Sequence, residues 1–241
     1  MTALLEVVGI SKSFSGLSAL ENVSFVVPQG SIIGLIGPNG AGKTTCFNVI
    51  AGVTRADAGE VRLAGTRIDG WRPDQVCRAG IGRTFQLVKP FAGLSVMENV
   101  VVGALNAYPS VRAAKAQARD IIDELGLGEK RGALAASLTL PERKRLEVAR
   151  ALATGPRLIM LDEVMAGLRP TETDHMVALF RALNASMGLT ILLIEHVMRA
   201  VMALSSGLIV LNHGQVIAAG TPAEVTRDRA VLECYLGEEA V

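Results

Sequence analysis

An apolar segment that runs directly into Gly37-Pro38-Asn39-Gly40-Ala41-Gly42-Lys43-Thr44 constrains this chain more than any other feature. The run fits G-x-x-x-x-G-K-[ST], the phosphate-binding loop of nucleoside triphosphatases. Residues 31–36 before it are apolar enough for a buried strand, and residues 45–51 after it read as a helix ended by Gly52. Strand, glycine loop and helix are the context that the motif requires. Glycines let successive backbone N–H groups turn inward around a phosphate, and the helix N-terminus adds a favourable dipole. Lys43 would bridge the β- and γ-phosphates, and the Thr44 hydroxyl would ligate Mg²⁺. The expected nucleotide-binding set therefore runs from Gly37 through Thr44 to Thr45, with ATP and Mg²⁺ as the cofactors.

At 241 residues the chain is long enough for one α/β domain with an inserted lobe. A net charge of +1 argues against a nucleic-acid binder that relies on a broad basic surface. Cys46, Cys77 and Cys234 lie far apart without metal spacing, which suggests a reducing compartment and no disulfide framework. No signal peptide is evident at the N-terminus, and no apolar run approaches the ~18 residues that span a bilayer. Mean hydropathy is nonetheless +0.38. Two readings stand side by side: abundant core Ala, Val and Leu, or a large apolar surface buried against partners.

Residues 4–10 and 23–27 look like strands, with Gly30 and Gly59-Glu60 as punctuation. A short hairpin is expected over 61–68 around Gly65-Thr66. From about Ser95 the period turns helical. A second helix is expected over 111–125, with Ile121, Ile122 and Leu125 as its apolar stripe, and a third over 140–153. A buried strand at 158–161, a helix around 171–185 and a strand at 190–194 follow. The end of the chain holds a hairpin, 208–211 with 215–217, turning at His213-Gly214. Thr221-Pro222-Ala223-Glu224 then forms a capping box with proline at N1. The helical block near 88–153 interrupts an α/β alternation, as an inserted lobe would.

Asp162 and Glu163 sit at the end of the apolar run 158–161. Buried unpaired carboxylates are costly, so two acids there need a reason. Beside a phosphate loop, Asp162 would hold the Mg²⁺ shell and Glu163 would polarise the attacking water. A positioned general base is worth about 10²–10⁴-fold in rate. The second apolar strand ends in Glu195-His196, which would deliver His196 to the γ-phosphate; His175 and His213 read as surface or turn residues.

With these residues in place, the chain resembles the ATPase subunit of an ABC transporter over nearly its full length. The resemblance implies a P-loop NTPase (RecA-like) α/β core with an N-terminal antiparallel β-subdomain and an inserted α-helical lobe. It also implies a single domain over 1–241, with the core in 1–87 and 154–241 and the signature lobe in 88–153. Phe14 falls where that family stacks an aromatic on adenine, with a core phenylalanine as the alternative. Gln86, in Arg83-Thr84-Phe85-Gln86, matches the glutamine linking Mg²⁺ to the lobe and the membrane partner, and His196 matches the switch histidine. The Arg-Thr-Phe-Gln form, Ala166-Gly167-Leu168, Ile194-Glu195-His196 and the Gly220-Thr221-Pro222 tail are most similar to a narrower branch, the LivG-type ATPases of branched-chain (hydrophobic) amino acid importers.

Departures from the family pattern accompany the match. The signature, normally Leu-Ser-Gly-Gly-Gln, stands as Leu138-Thr139-Leu140-Pro141-Glu142. Thr139 keeps a hydroxyl, but Pro141 removes an N–H and Glu142 adds negative charge near an anion. Read by itself, Thr139-x-x-Glu142 is a capping box with Pro141 in the first turn, where N–H groups are unpaired anyway. The half-site made by this segment is therefore expected to be weakened. Arg143-Lys144-Arg145 reads as a solvated helix face, with electrostatic offset of Glu142 as the alternative; Val164 replaces a usual proline, and Arg169 stands where many relatives have Asp or Asn.

The resemblance implies a second ABC ATPase subunit, identical or different, and transmembrane permease subunits docked near Gln86 through Leu87-Val88-Lys89-Pro90-Phe91. A periplasmic or extracellular substrate-binding protein would be reached only indirectly, and nucleic acid would not be a partner. The chain would sit on the cytoplasmic face of the inner or plasma membrane. Rivals are an exporter ATPase of the lipopolysaccharide type, a soluble non-transport ABC ATPase, and a P-loop kinase, against which the acid pair and His196 argue.

Overall fold

The computed structural model describes residues 2–86 and 89–236. Met1, Leu87, Val88 and residues 237–241 lie outside them, including two of the apolar residues expected at the docking segment.

Two long strands, β1 (Ala3–Phe14) and β2 (Leu17–Pro28), open the chain as an antiparallel pair. β3 (Ile32–Ile36) follows and runs into the glycine loop and α1 (Lys43–Ile50). β4 (Ala58–Leu63) returns antiparallel to β1 and carries the two-residue β5 (Thr66–Arg67). Then come α2 (Pro73–Ala79) and β6 (Ile81–Arg83). Three helices, α3 (Val96–Ala104), α4 (Val111–Glu124) and α5 (Leu140–Ala153), lead to β7 (Leu158–Asp162). The remaining order is α6 (Pro170–Met187), β8 (Thr190–Ile194), α7 (Met198–Leu204), β9 (Gly207–Asn212), β10 (Gln215–Gly220), α8 (Pro222–Val225) and α9 (Arg229–Leu236).

The strands form two sheets: an antiparallel one in the order β2-β1-β4-β5, and a mostly parallel one in the order β10-β9-β3-β8-β7-β6. Every residue of β3, β7 and β8 is buried. That explains why they read as unbroken apolar runs rather than alternating ones. Their side chains still alternate between two cores. Ile159, Leu161, Ile191 and Leu193 face a core shared with α3–α7, while Leu158, Met160, Leu192 and Ile194 face one shared with α1 and the antiparallel sheet.

Several expectations are corrected in detail. β1 and β2 extend well past residues 4–10 and 23–27, because half-exposed polar positions continue the ladder to Phe14 and from Leu17. Gly59-Glu60 is not punctuation but lies within β4. α1 begins at Lys43 rather than Thr45. α2, β6 and α7 were not anticipated. Only Val76 is buried in α2, so no apolar stripe marks it, and β6 is three residues long.

The helical lobe is closed by one side chain. Asn99 on α3 is fully buried; its Oδ1 accepts the Phe91 N–H at 2.9 Å, and its Nδ2 donates to the carbonyls of Phe91, Leu94 and Ser95. It supplies the acceptor for the Phe91 N–H and adds second donors to carbonyls that already have backbone partners. Asn99→Leu keeps the volume but leaves the Phe91 N–H without its acceptor, while the three carbonyls keep backbone donors. It should lower unfolding free energy by about 1–3 kcal/mol in urea titrations, and a loss under about 0.5 kcal/mol would show that the Phe91 N–H finds another partner.

Candidate active site

Four neighbouring parallel strands, in the order β3-β8-β7-β6, end on the same side. In open α/β sheets, ligands bind beyond the carboxyl ends of the strands. Here β3 delivers the glycine loop, β8 His196, β7 Asp162 and Glu163, and β6 the Thr84-Phe85-Gln86 segment. A cavity of about 300 Å³ is lined by loop residues 39–45 together with Gln86, Glu163 and His196. Seven of the loop residues expected for nucleotide binding thus share one space with Gln86, Glu163 and His196, while Gly37, Pro38 and Phe14 do not line it.

The loop is built for an anion. At Gly37, φ is 147° and a Cβ would fall 2.0 Å from the Leu211 carbonyl oxygen, so only glycine fits. Gly42 caps α1 with φ 101°, and no side chain or acidic first-turn residue answers that helix N-terminus. Its dipole favours an anionic ligand at that end. Lys43 is buried and donates to the carbonyls of Gly37 and Pro38, both at 2.7 Å, which holds its ammonium inside the loop.

Glu163 joins the other two residues expected for hydrolysis. Gln86 Nε2 donates to its Oε2 at 2.8 Å, and His196 Nε2 lies 2.8 Å from its Oε1. Its backbone is in the left-handed region at φ 51°, held by its own N–H on the Ile194 carbonyl and by Lys144 Nζ on its carbonyl. Left-handed non-glycine residues are uncommon and cluster at functional sites.

Asp162 has a partner that sequence reasoning missed. Arg83 donates to its Oδ2 at 3.0 Å and to Asn48 Oδ1 at 2.8 Å, and its guanidinium lies near the rings of Phe47 and Phe85. Thr84 Oγ1 accepts the Asp162 N–H. Thr44, Gln86 and Asp162 line an adjoining cavity of about 480 Å³.

Three more buried charges were missed. Lys144 corrects the reading of 143–145 as a solvated face: it is 5% exposed and bonded to Glu163. Glu147 is buried, its Oε1 accepts the Phe85 N–H, and burial pushes its carboxyl above the usual range. Glu195 accepts the Met165 N–H at 2.7 Å, and burial pushes it up to about 7. The available signal was charge interleaved with Leu146 and Val148 on a helix that must bury a face.

Other expected residues lie apart from both cavities. Phe14 is 48% exposed at the end of β1, which rules out the core alternative, and Lys12 stands 5.3 Å over its ring. Thr139, Leu140, Pro141 and Glu142 begin α5; Glu142 accepts the Thr139 N–H at 2.8 Å and pairs with Lys130 at 3.1 Å. That backbone hydrogen bond lowers the Glu142 pKa, so its charge is taken up by its own helix cap. Val164 is buried, and Arg169 caps α6. His175 and His213 are exposed.

The chain is similar to known proteins over nearly its full length. A family profile for ABC transporters covers residues 20–166, and one for the branched-chain amino acid ATP-binding cassette transporter covers residues 215–241. The chain is 38% identical over 250 residues to the high-affinity branched-chain amino acid transport ATP-binding protein LivG of Escherichia coli (strain K12), spanning 98% of each. It is 34% identical over 238 residues to the lipopolysaccharide export system ATP-binding protein LptB of the same strain, again spanning 98% of each. Among solved structures, the ADP conformation of MJ1267, an ATP-binding cassette of an ABC transporter, superposes with a TM-score of 0.89 at 32% identity, covering 98% of this chain and 100% of that one.

The elevated Glu195 makes stability depend on pH. Between 4.5 and about 7 the folded chain keeps a proton that the unfolded chain has lost, so stability falls as pH rises through that window. The span corresponds to roughly 3 kcal/mol. Urea unfolding of wild type and Glu195→Gln at pH 5 and pH 8 should show wild type losing about that much more; parallel pH profiles would contradict it.

Proposed function

The chain belongs to the ABC transporter family of ATP-hydrolysing subunits, and from that premise we propose that it powers an importer of branched-chain or other hydrophobic amino acids. The carrying observation is the match of residues 215–241 to the branched-chain amino acid profile, supported by 38% identity to LivG against 34% to LptB. The lipopolysaccharide-exporter reading rests on the lower figure.

In this reading one ABC ATPase domain spans 1–241, the phosphate loop holds the triphosphate, and Phe14 offers an exposed ring to adenine. The residues fit a magnesium ion. Thr44, Gln86 and Asp162 line one cavity, and among the described residues no group of three or more His, Cys, Asp or Glu could hold a metal alone. A hydroxyl, one carboxylate and phosphate oxygens are what Mg²⁺ uses. When bound, the ion neutralises charge on the phosphates. Glu163 takes the proton of the attacking water, with Gln86 and His196 holding both of its oxygens in place.

The working unit is a pair, each nucleotide lying between the phosphate loop of one subunit and the signature segment of the other. ATP closes the pair because it binds the closed form more tightly, and hydrolysis reopens it. Permeases would dock over the exposed Phe85 and Phe91, beside an apolar cavity of about 260 Å³ lined in part by Val53, Val76, Ile81 and Val102. No described helix is long and apolar enough to cross a membrane, so attachment to the cytoplasmic face would run through those permeases. A substrate-binding protein would act on the far side.

Glu163→Gln should keep ATP binding and trap the closed complex. Purified with Mg·ATP from detergent-solubilised native membranes, it should bring down two multi-span permeases and a second ATPase by mass spectrometry. Ribosomes, DNA or no membrane protein would overturn the transport reading. A lipopolysaccharide-handling permease would favour the exporter. For the altered signature, joint Leu140→Gly, Pro141→Gly and Glu142→Gln should raise ATP turnover several-fold; unchanged turnover would show that the segment as it stands is sufficient.

A further inference from the structure

Lys144, Glu147 and Arg150 are spaced by three along α5, so they share a helix face. Lys144 and Glu147 are 5% and 6% exposed, although charged side chains are almost never fully buried unless partnered. Their partners are backbone groups of loops. Lys144 Nζ donates to the Glu163 carbonyl at 3.1 Å, Glu147 Oε1 accepts the Phe85 N–H, and Arg150 donates to the Lys89 carbonyl at 3.1 Å. Glu163 and Gln86, which follows Phe85, are themselves joined side chain to side chain at 2.8 Å. A closed circuit results: from α5 through Glu147 to Phe85-Gln86, across to Glu163, and back through Lys144 to α5.

Two further facts separate this circuit from ordinary core packing. Glu163 holds a left-handed backbone at φ 51°, and Lys144 binds the carbonyl of that residue. Glu147 Oε2 has no hydrogen-bond partner among the described residues. An apolar side chain of similar size would avoid that cost, and it is accepted at the one position that anchors Phe85.

We propose that Lys144 and Glu147 are positioning residues that clamp the loops bearing Glu163 and Gln86 to a single helix. The first turn of that helix is the signature segment. The hydrolytic geometry of a subunit is thereby set by where its own signature helix sits, so that engaging the partner's nucleotide at the start of α5 aligns or releases the chemistry held one and two turns further along it. The inference rests on Glu163 and Gln86 acting in hydrolysis as read above.

The test uses the full chain, with steady-state ATPase kinetics and hydrogen exchange at the Phe85 amide. Glu147→Leu removes the acceptor, Glu147→Asp draws it out of reach, and Glu147→Gln preserves it. Leu and Asp should speed Phe85 exchange and lower kcat about 10–100-fold with KM for ATP within about twofold, the scale expected for a small misplacement of reacting groups. Gln should stay within about threefold of wild type in kcat and keep the amide protected. Lys144→Met should also lower kcat selectively. Should Leu fail to fold, Asp carries the same comparison. Persistent Phe85 protection in Leu or Asp, equal loss in Gln, or a rise in KM with kcat unchanged would overturn the clamp. Glu163→Gln separates the premises: hydrolysis surviving in it would sink the reading of Glu163 while leaving the exchange result to judge the Glu147 contact.

Discussion

A strand buried on both faces can present chemistry only at its ends, and this constraint organises the molecule. β3, β7 and β8 are buried at every residue, with side chains shared between two cores. Their backbone groups are committed to the ladder, and their side chains are committed to packing. Whatever acts on a ligand must stand in the turn just past each strand. Parallel alignment places those turns side by side, so residues far apart in the chain, from Lys43 to His196, meet without long reaching segments.

The same arrangement forces charges against apolar cores, and each is answered individually. Asp162 has Arg83 and the Thr84 hydroxyl, Lys144 has a backbone carbonyl, and Glu195 has the Met165 N–H. Such partners do little for net stability, because desolvation offsets much of the attraction. Their effect is on geometry. Each fixes one turn beyond a strand, and Glu163 could not remain at a positive φ without neighbours that over-determine it.

The sequence spoke clearly wherever a residue's purpose is local. Gly37 to Thr44 form a loop whose backbone geometry needs those residues in that order, and the apolar runs before Asp162 and Glu195 could only be buried strands. The α/β core and the helical insertion were legible on that basis, and Glu163 and His196 drew notice as polar residues ending apolar runs, whereas the antiparallel subdomain and Gln86 entered only through the resemblance to the family. Residues whose purpose is a partner distant in the chain stayed silent. Arg83 lies 79 positions from Asp162, Lys144 19 from Glu163 and Glu147 62 from Phe85. Nothing in a helical period distinguishes a lysine bound to a loop carbonyl from one in water. α2 and β6 were missed for the opposite reason: they bury too little to impose a pattern.

The proline in the first turn of α5 divides that helix into two halves with different freedom to change. Its first turn is closed by the Thr139–Glu142 cap and needs no N–H from Pro141, so the proline costs the helix little. Further along, Lys144 and Glu147 are locked to loops of the core, and drift at either would be felt at once. A chain built this way can lose a family's most recognisable tetrapeptide in the course of evolution and still keep the lobe folded. Keeping the lobe folded and presenting a signature are thus separable demands on one helix.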